Sequence, residues 1–302
     1  MSLLRNTVRH ITRQGWIPRG RMLLAKTFCD HNKINDDIQF TEDFFDLRYS
    51  GRLNNWIDWH IYFFGAYAPG ELALLGALAK SLRAGNTAPI IYYDIGCNVG
   101  NHAIYMSRYA DEVLCFDPSP TAISAAKANI HLNNLQNVMT FEVALGSVKK
   151  NAPLFLPEAH NLGTATLLQR RTSGLAPPIG HVDIEVGDEF VRHHELPLPD
   201  LVKLDVEGFE SEVIRGLGNT LSMARPVIFC ELTGIDLSGF GSEAGLRAAL
   251  PNYYRLFSFD ARHDSARYRL SKFTTKYKMV LCVPSEKAAI LSAAVRIDTH
   301  DT

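Results

Sequence analysis

Asp94-Ile95-Gly96-Cys97-Asn98-Val99-Gly100 is the stretch that decides the fold. The apolar run before it, from Ile90, has the length of a buried strand, and a helix-length segment follows the second glycine. Gly96 and Gly100 let the backbone turn tightly and approach a ligand closely. The helix that follows then aims free N–H groups at the ligand. The spacing departs from the G-x-G-x-x-G dinucleotide pattern, which disfavours a nicotinamide-dependent dehydrogenase. Asp94 stands where a carboxylate would oppose a cationic group and repel a pyrophosphate.

The same strand-and-helix rhythm extends outward from this loop. Strands are expected at Ile90 to Ile95, Glu112 to Phe116, Val138 to Val143, Leu201 to Val206, Val227 to Leu232, Tyr254 to Phe259 and Lys278 to Val283. Helices are expected between them, such as Pro120 to Asn133 and Ser211 to Met223. Such alternation predicts a mostly parallel α/β sheet covered on both faces. Residues 150–190 interrupt it with two extra strands, Pro153 to Leu156 and His181 to Val186, and a loop carrying His160 and Asn161. An insertion of this kind commonly shapes a substrate site.

Residues 89–302 are expected to form the main domain, and residues 1–88 an N-terminal extension. The extension reads as two basic helical segments, a hairpin (Ile38 to Phe40, then Phe44 to Tyr49), an aromatic run from Trp56 to Tyr67, and a helix opened by Pro69. The aromatic run is expected to be core, with a sugar-stacking lid as the alternative.

Composition narrows the class. The chain has 302 residues and a net charge of -1, so no global positive field attracts nucleic acid. Its five cysteines form no CxxC pair, which argues against a disulfide framework or a four-cysteine zinc site and fits a reducing cytosol. No apolar run approaches the ~20 residues that span a bilayer. From Met1 to Cys29 the cations are Arg5, Arg9, Arg13, Arg19, Arg21 and Lys26, with no acid. Arg5, Arg9 and Arg13 recur every fourth residue and form one helical stripe. It is expected to be a solvated face, with peripheral membrane contact as the alternative.

Ligands in a doubly wound sheet sit beyond the carboxyl ends of the strands. After the first strand the cofactor loop continues into Asn101 and His102. After the second comes Asp117, placed to accept hydrogen bonds from ribose hydroxyls. After the third comes Glu142-Val143-Ala144-Leu145-Gly146, whose small and apolar groups suit the wall of an adenine pocket. Asp94, Gly96, Asn98, Gly100, Asn101, His102, Asp117, Glu142 and Ala144 are therefore the candidate cofactor residues, and the cofactor that fits them is S-adenosylmethionine. The fourth and fifth strands end at Asp205, Glu207 and Glu231. Carboxylates brought together raise one another's pKa, and one could take a proton from a substrate hydroxyl. A bound cation is the other use for such a cluster, but no ligand set with specific spacing appears, so no metal is expected.

The runs DIGCNVGNHA from Asp94, FDPSP from Phe116, EVALGS from Glu142, DLVKLDVEGFESEVIRGL from Asp200 and RPVIFCEL from Arg225 resemble the FkbM-type methyltransferases. The resemblance covers Tyr92 to Leu232, and the run with Lys203, Asp205, Glu207, Gly208 and Glu210 is its most specific part. It implies a Rossmann-like class I methyltransferase fold, with a mostly parallel seven-stranded sheet and an antiparallel last strand. It implies O-methylation of a hydroxyl on a sugar, glycan or secondary metabolite, so the expected partner is a small-molecule or glycan acceptor and not nucleic acid. It also places Asp94, Gly96, Asn98 and Gly100 on the methionine portion of the cofactor and Asp117 on the ribose. Two positions depart from the family: Asp117 where Glu is usual, and Val186-Gly187-Asp188 where Thr-Leu-Asp is usual. The competing readings are a methyltransferase for another acceptor class and a non-catalytic cofactor-binding scaffold in glycan assembly.

Overall fold

The computed structural model describes residues 2–14, 20–34, 37–84, 87–156, 166–167, 177–232, 239–262 and 265–288. His160 and Asn161 lie outside them.

The chain opens with helices α1 (Ser2–Arg13) and α2 (Arg21–Cys29), the hairpin β1 (Gln39–Phe44) and β2 (Leu47–Arg52), and helices α3 (Trp56–Phe64) and α4 (Pro69–Ala84). The hairpin turns at Phe45-Asp46, both with positive φ (49° and 61°), and pairs Phe44 with Leu47. The polar residues Thr41 to Asp43, expected as the turn, are instead part of β1. They fit there because Phe40 and Phe44 point inward and the residues between them are wholly or partly exposed.

The arginine stripe of α1 is not simply solvated. Arg9 binds Glu42, and its guanidinium lies 4.8 Å from the centre of the Tyr62 ring. Arg13 donates to the carbonyls of Ile61 and Tyr62, both at 3.0 Å, and Thr12 Oγ1 donates to that of Phe63 at 2.7 Å. A cation and a hydroxyl thus satisfy orphan carbonyls at the C-terminal end of α3, where the helix dipole favours positive charge.

Next come β3 (Ile91–Ile95), α5 (Asn101–Met106), β4 (Glu112–Phe116), α6 (Pro120–Leu132) and β5 (Val138–Phe141), then β6 (Ala144–Gly146), β7 (Lys150–Leu154), β8 (Gly180–Val186) and α7 (Gly187–His193). The last part holds β9 (Leu201–Leu204), α8 (Glu210–Gly216), α9 (Gly218–Ala224), β10 (Val227–Glu231), α10 (Glu243–Ala249), β11 (Tyr254–Ala261), β12 (Tyr268–Lys272) and β13 (Met279–Pro284). The main sheet has the order β12-β11-β13-β10-β9-β3-β4-β5. β10, β9, β3, β4 and β5 are mutually parallel, and β13 runs antiparallel between β10 and β11. This is a class I methyltransferase sheet with its last strand reversed.

Three details differ from the expectation. An eighth strand, β12, is added at the edge and pairs antiparallel with β11; its sequence, Tyr-Arg-Leu-Ser-Lys, is too polar to read as a strand without its partner. The expected strand Val138 to Val143 ends at Phe141, and Ala144–Gly146 joins a separate sheet of order β6-β8-β7. The expected helix Ser211 to Met223 breaks at Leu217. At this break α8 presses on β6: a Cβ on Gly216 would stand 1.8 Å from the Gly146 carbonyl oxygen.

Successive residues of each central strand bury on opposite faces. Tyr92, Val113, Leu201, Phe229 and Leu281 join one core, which also contains Val8, Phe44, Trp59 and Leu75 of the extension. Ile91, Leu114, Val202, Ile228 and Val280 join the other, under α8 and the small sheet. The extension therefore shares one face of the sheet with α5 and α6. All five cysteines are buried free thiols. Trp59 is fully buried and its Nε1 donates to the Cys29 carbonyl at 2.6 Å. Trp59→Ala should lower unfolding stability by about 3–5 kcal/mol and keep one cooperative denaturant transition, because the extension and the sheet share a core. Two separate transitions would show that the extension folds as an independent unit.

Candidate active site

The carboxyl ends of β3, β4, β9 and β10 and the start of β6 open on a cavity of about 270 Å³. Its wall includes Gly96, Cys97, Asn98, Asn101 and His102 from the glycine loop and α5, Asp117 and Pro118 after β4, and Val143 to Leu145. Asp205, Val206, Glu207, Phe209 and Glu231 line it from the fourth and fifth strand ends, and Lys203 from within β9. Trp56, Ile57 and Tyr67 close it from the extension.

The glycine loop is held on both sides. Gly96 has φ 81°, and a Cβ there would lie 1.8 Å from the Asp205 carbonyl oxygen. The Gly96 and Cys97 N–H groups donate to the Phe116 carbonyl at 2.8 and 3.2 Å. Asn98 takes a left-handed conformation, φ 49°, steadied by its own Oδ1, which accepts from Val99 N–H at 2.7 Å. Asp117 Oδ2 accepts from Asn98 N–H at 2.9 Å and Oδ1 from Ser119 N–H at 2.9 Å. Burial pushes the Asp117 carboxyl up to about 6, against the pull of these two donors.

Some expected cofactor residues take other positions. Gly100, φ 81°, is not on the cavity wall; a Cβ there would lie 2.9 Å from Ala126 Cβ, so it lets α5 pack on α6. Glu142 is exposed and off the wall, because the chain alternates there and turns Val143 inward. Ala144 lines the cavity, as do Asn98, Asn101, His102 and Asp117. Asp94 is fully buried behind the wall. Among the described residues neither of its oxygens finds a well-formed hydrogen-bond partner. Burial pushes its pKa up, against the attraction of Lys203 and His102. Asp188, at the position that departs from the family pattern, accepts from Asn219 N–H, Thr220 N–H and Thr220 Oγ1 and so caps α9.

The acids after β9 and β10 converge as expected. One carboxylate oxygen from each of Asp205, Glu207 and Glu231 lies within 4.8 Å of the others. Lys203, paired in register with Asp94, is buried and donates from Nζ to Asp205 Oδ2 at 3.0 Å. Burial alone would lower the Lys203 pKa, but Asp205, Asp94 and Glu71 together raise it, so the ammonium is held charged. Burial would raise Asp205; Lys203 and a hydrogen bond from Glu231 outweigh it and keep Asp205 ionised. Glu231 is pushed well above the usual carboxylate range by the Asp205 charge, its burial and the shared hydrogen bond. The pair carries one proton between them.

The loop that carries Glu207 is built with care. Glu207 has φ 53° and Gly208 φ 102°, and Glu210 Oε1 accepts from Gly208 N–H at 2.9 Å and Val206 N–H at 3.3 Å. Thr166 of the insertion donates from Oγ1 to the Glu207 carbonyl at 2.8 Å. Sequence reasoning had not placed Lys278 at the site; it had named Lys203 only within the family run and Tyr67 only in the alternative reading of the aromatic run as a lid. The signal for Lys203 is a lone cation inside an apolar strand, a position that only a buried partner explains. Glu71 from α4 reaches the same cluster: its Oε2 lies 3.3 Å from His102 Nε2, in ion-pair range.

A doubly wound sheet with a glycine loop, an acid on the second strand and acids on the fourth and fifth defines a class I methyltransferase framework. Residues 94–267, more than half of the chain, match the methyltransferase FkbM domain family, and the chain belongs to that family. It is 28% identical over 151 residues to the hexuronic acid methyltransferase AglP of Haloferax volcanii, covering 48% of this chain and 57% of that protein. It is 29% identical over 177 residues to the 2-O-methyltransferase NoeI of Sinorhizobium fredii, covering 54% of this chain and 70% of that protein. The crystal structure of an FkbM methyltransferase from Methylobacillus flagellatus aligns over 65% of this chain and 43% of its own, with 12% identity and a TM-score of 0.40. The match thus spans little more than half of the first relative's length.

Gly96→Ala is expected to remove cofactor binding, since the methyl group collides with the Asp205 backbone and the left-handed φ disfavours it; calorimetry showing parental affinity would refute this. Acidification gives a second test. Above a pH of about 6 Asp117 is ionised and accepts strongly from Asn98 and Ser119 N–H; below it the carboxyl is neutral and its hold on the glycine loop weakens. Cofactor affinity should fall as pH drops through that value, and Asp117→Asn should flatten the step.

Proposed function

We propose that this protein is an S-adenosylmethionine-dependent O-methyltransferase acting on a sugar hydroxyl. The observation that carries the reading is one cavity that joins the glycine loop and Asp117 to the carboxylates Asp205, Glu207 and Glu231. The names of the relatives, a hexuronic acid methyltransferase and a 2-O-methyltransferase, support a sugar acceptor.

The residues present suit this cofactor. Acid exceeds base around the cavity: the buried Asp94 and the partly buried Asp205, Glu207, Glu231 and Glu71 stand against the buried Lys203 and His102 and the exposed Lys278. Such an excess favours a cationic ligand and disfavours a phosphate. Asn101 adds a buried, unpartnered Nδ2 on the wall. Gly96, Asn98 and Asn101 would hold the methionine portion, Asp117 the ribose, and Val143 to Leu145 the adenine, with Asp94 acting from behind as a fixed negative charge. The bound cofactor supplies a methyl group on a sulfonium, already reactive toward an oxygen nucleophile.

The protein's own work is then to orient the hydroxyl and take its proton. Asp205 is a weak base because Lys203 and Glu231 stabilise its ionised form. It suits the task of accepting a hydrogen bond that orients the sugar. Glu231 already carries the proton of the pair. Glu207, with a carboxylate oxygen within 4.8 Å of one on each of Asp205 and Glu231, takes the role of receiving the hydroxyl proton in this proposal. The aromatic rim of Trp56 and Tyr67 excludes water.

Calorimetric titration should show micromolar binding of S-adenosylmethionine and no heat with NAD; the reverse would end the methyltransferase reading. Glu207→Gln should bind the cofactor like the parent and lose about 10²–10⁴-fold in methyl transfer to a responsive sugar or glycan. Parental turnover in that variant would make Glu207 structural.

A further inference from the structure

The segment between β7 and β8 reaches the cavity through Leu167, which lines the wall together with Leu154 at the end of β7. Their neighbours Phe155 and Thr166 form an antiparallel bridge, each N–H donating to the other's carbonyl at 2.9 Å. Both residues of the bridge are buried, and Thr166 is only 1% exposed. Thr166 is off the cavity wall. Its hydroxyl turns to the acid loop instead, where Oγ1 donates to the Glu207 carbonyl at 2.8 Å.

That bond falls on a residue that needs support. Glu207 has φ 53°, in the left-handed region that a side chain disfavours. Such a backbone persists only where its surroundings fix it. The residues on either side are tied already: Gly96 packs on the Asp205 carbonyl, and Glu210 Oε1 accepts from Val206 and Gly208 N–H. The Thr166 hydroxyl ties residue 207 itself, from a bridge whose own backbone is held by two hydrogen bonds. The Glu207 carboxylate leaves the same residue and brings one oxygen within 4.8 Å of an oxygen on each of Asp205 and Glu231. A turn of this backbone would carry the carboxylate away from them.

We propose that Thr166 is a positioning residue for methyl transfer: its hydroxyl holds the Glu207 backbone in the left-handed turn that aims the carboxylate at the acceptor. This role rests on the reading of Glu207 as the group that receives the hydroxyl proton. Thr166→Val keeps the shape and the branching of the side chain and removes the donor. In the full chain saturated with S-adenosylhomocysteine, a measurement that needs no acceptor, amide exchange over residues 206–209 should quicken about tenfold in this variant. Turnover is read with S-adenosylmethionine and the best-methylated member of a panel of methyl glycosides of hexoses and hexuronic acids. The kcat of Thr166→Val should fall about tenfold, with both KM values within about twofold of the parent. Thr166→Ser keeps the donor and should restore both the exchange and most of kcat. Parental exchange in Thr166→Val would overturn the proposal. So would parental kcat beside quickened exchange, because the hydroxyl would then hold the loop without serving the reaction, and so would a raised KM with kcat kept. Glu207→Gln tells the two claims apart. If it is inactive while Thr166→Val turns over like the parent, the proposal fails and the reading of Glu207 stands. If it turns over like the parent, that reading fails and takes the positioning role with it.

Discussion

The Gly96 backbone lies against the Asp205 carbonyl, and the rest of the site depends on that approach. β3 and β9 are neighbours at the point where the order of the sheet reverses. One chain leaves β3 toward β4 and the other leaves β9 toward β10, so a crevice opens between their exits. The glycine loop and the acid loop are the two lips of this crevice. A side chain at position 96 would force them apart. The close approach brings the glycine loop and the acid loop onto one cavity.

The second constraint is electrical. Asp94 and Lys203 are paired in register on neighbouring strands, and both are buried. A buried charge persists only with compensation, so these residues, Glu71, His102, Asp205 and Glu231 stand or fall as a group. The alternation of strand faces puts Asp94, Lys203 and Glu231 on the side of the sheet that the extension helps to cover. The extension is thus more than a scaffold. It seals the site's charged residues away from water and adds Glu71 and Tyr67 to their surroundings.

Much of this was legible in the chain. The seven central strands follow from apolar runs punctuated by glycine, proline and acid, since buried parallel strands must be apolar throughout. Asp117, Asp205, Glu207 and Glu231 could be named as candidates because each stands at the end of such a run, and the structure brings all four to one cavity. What local pattern conceals is contact between distant segments. Gly100 reads as a ligand-contacting glycine, yet its missing side chain admits Ala126. Glu142 reads as part of the adenine wall, yet the alternation at β5 turns it outward. Arg9 and Arg13 read as a solvated stripe, yet Glu42 and the end of α3 claim them. β12 exists only because β11 offers it an edge.

The five buried thiols give the molecule a built-in clock for its own opening. Cys97 lies on the cavity wall, whereas Cys115 and Cys230 lie inside the sheet. Burial raises the pKa of each of the latter two, and the Cys97 thiol, beside Cys115 and likewise buried, is held up as well. A thiol reagent therefore gains access only when structure gives way. Reaction at Cys97 times the breathing of the glycine loop, and reaction at Cys230 times the parting of the sheet. The ratio of the two rates separates local motion at the site from global unfolding without a single introduced label.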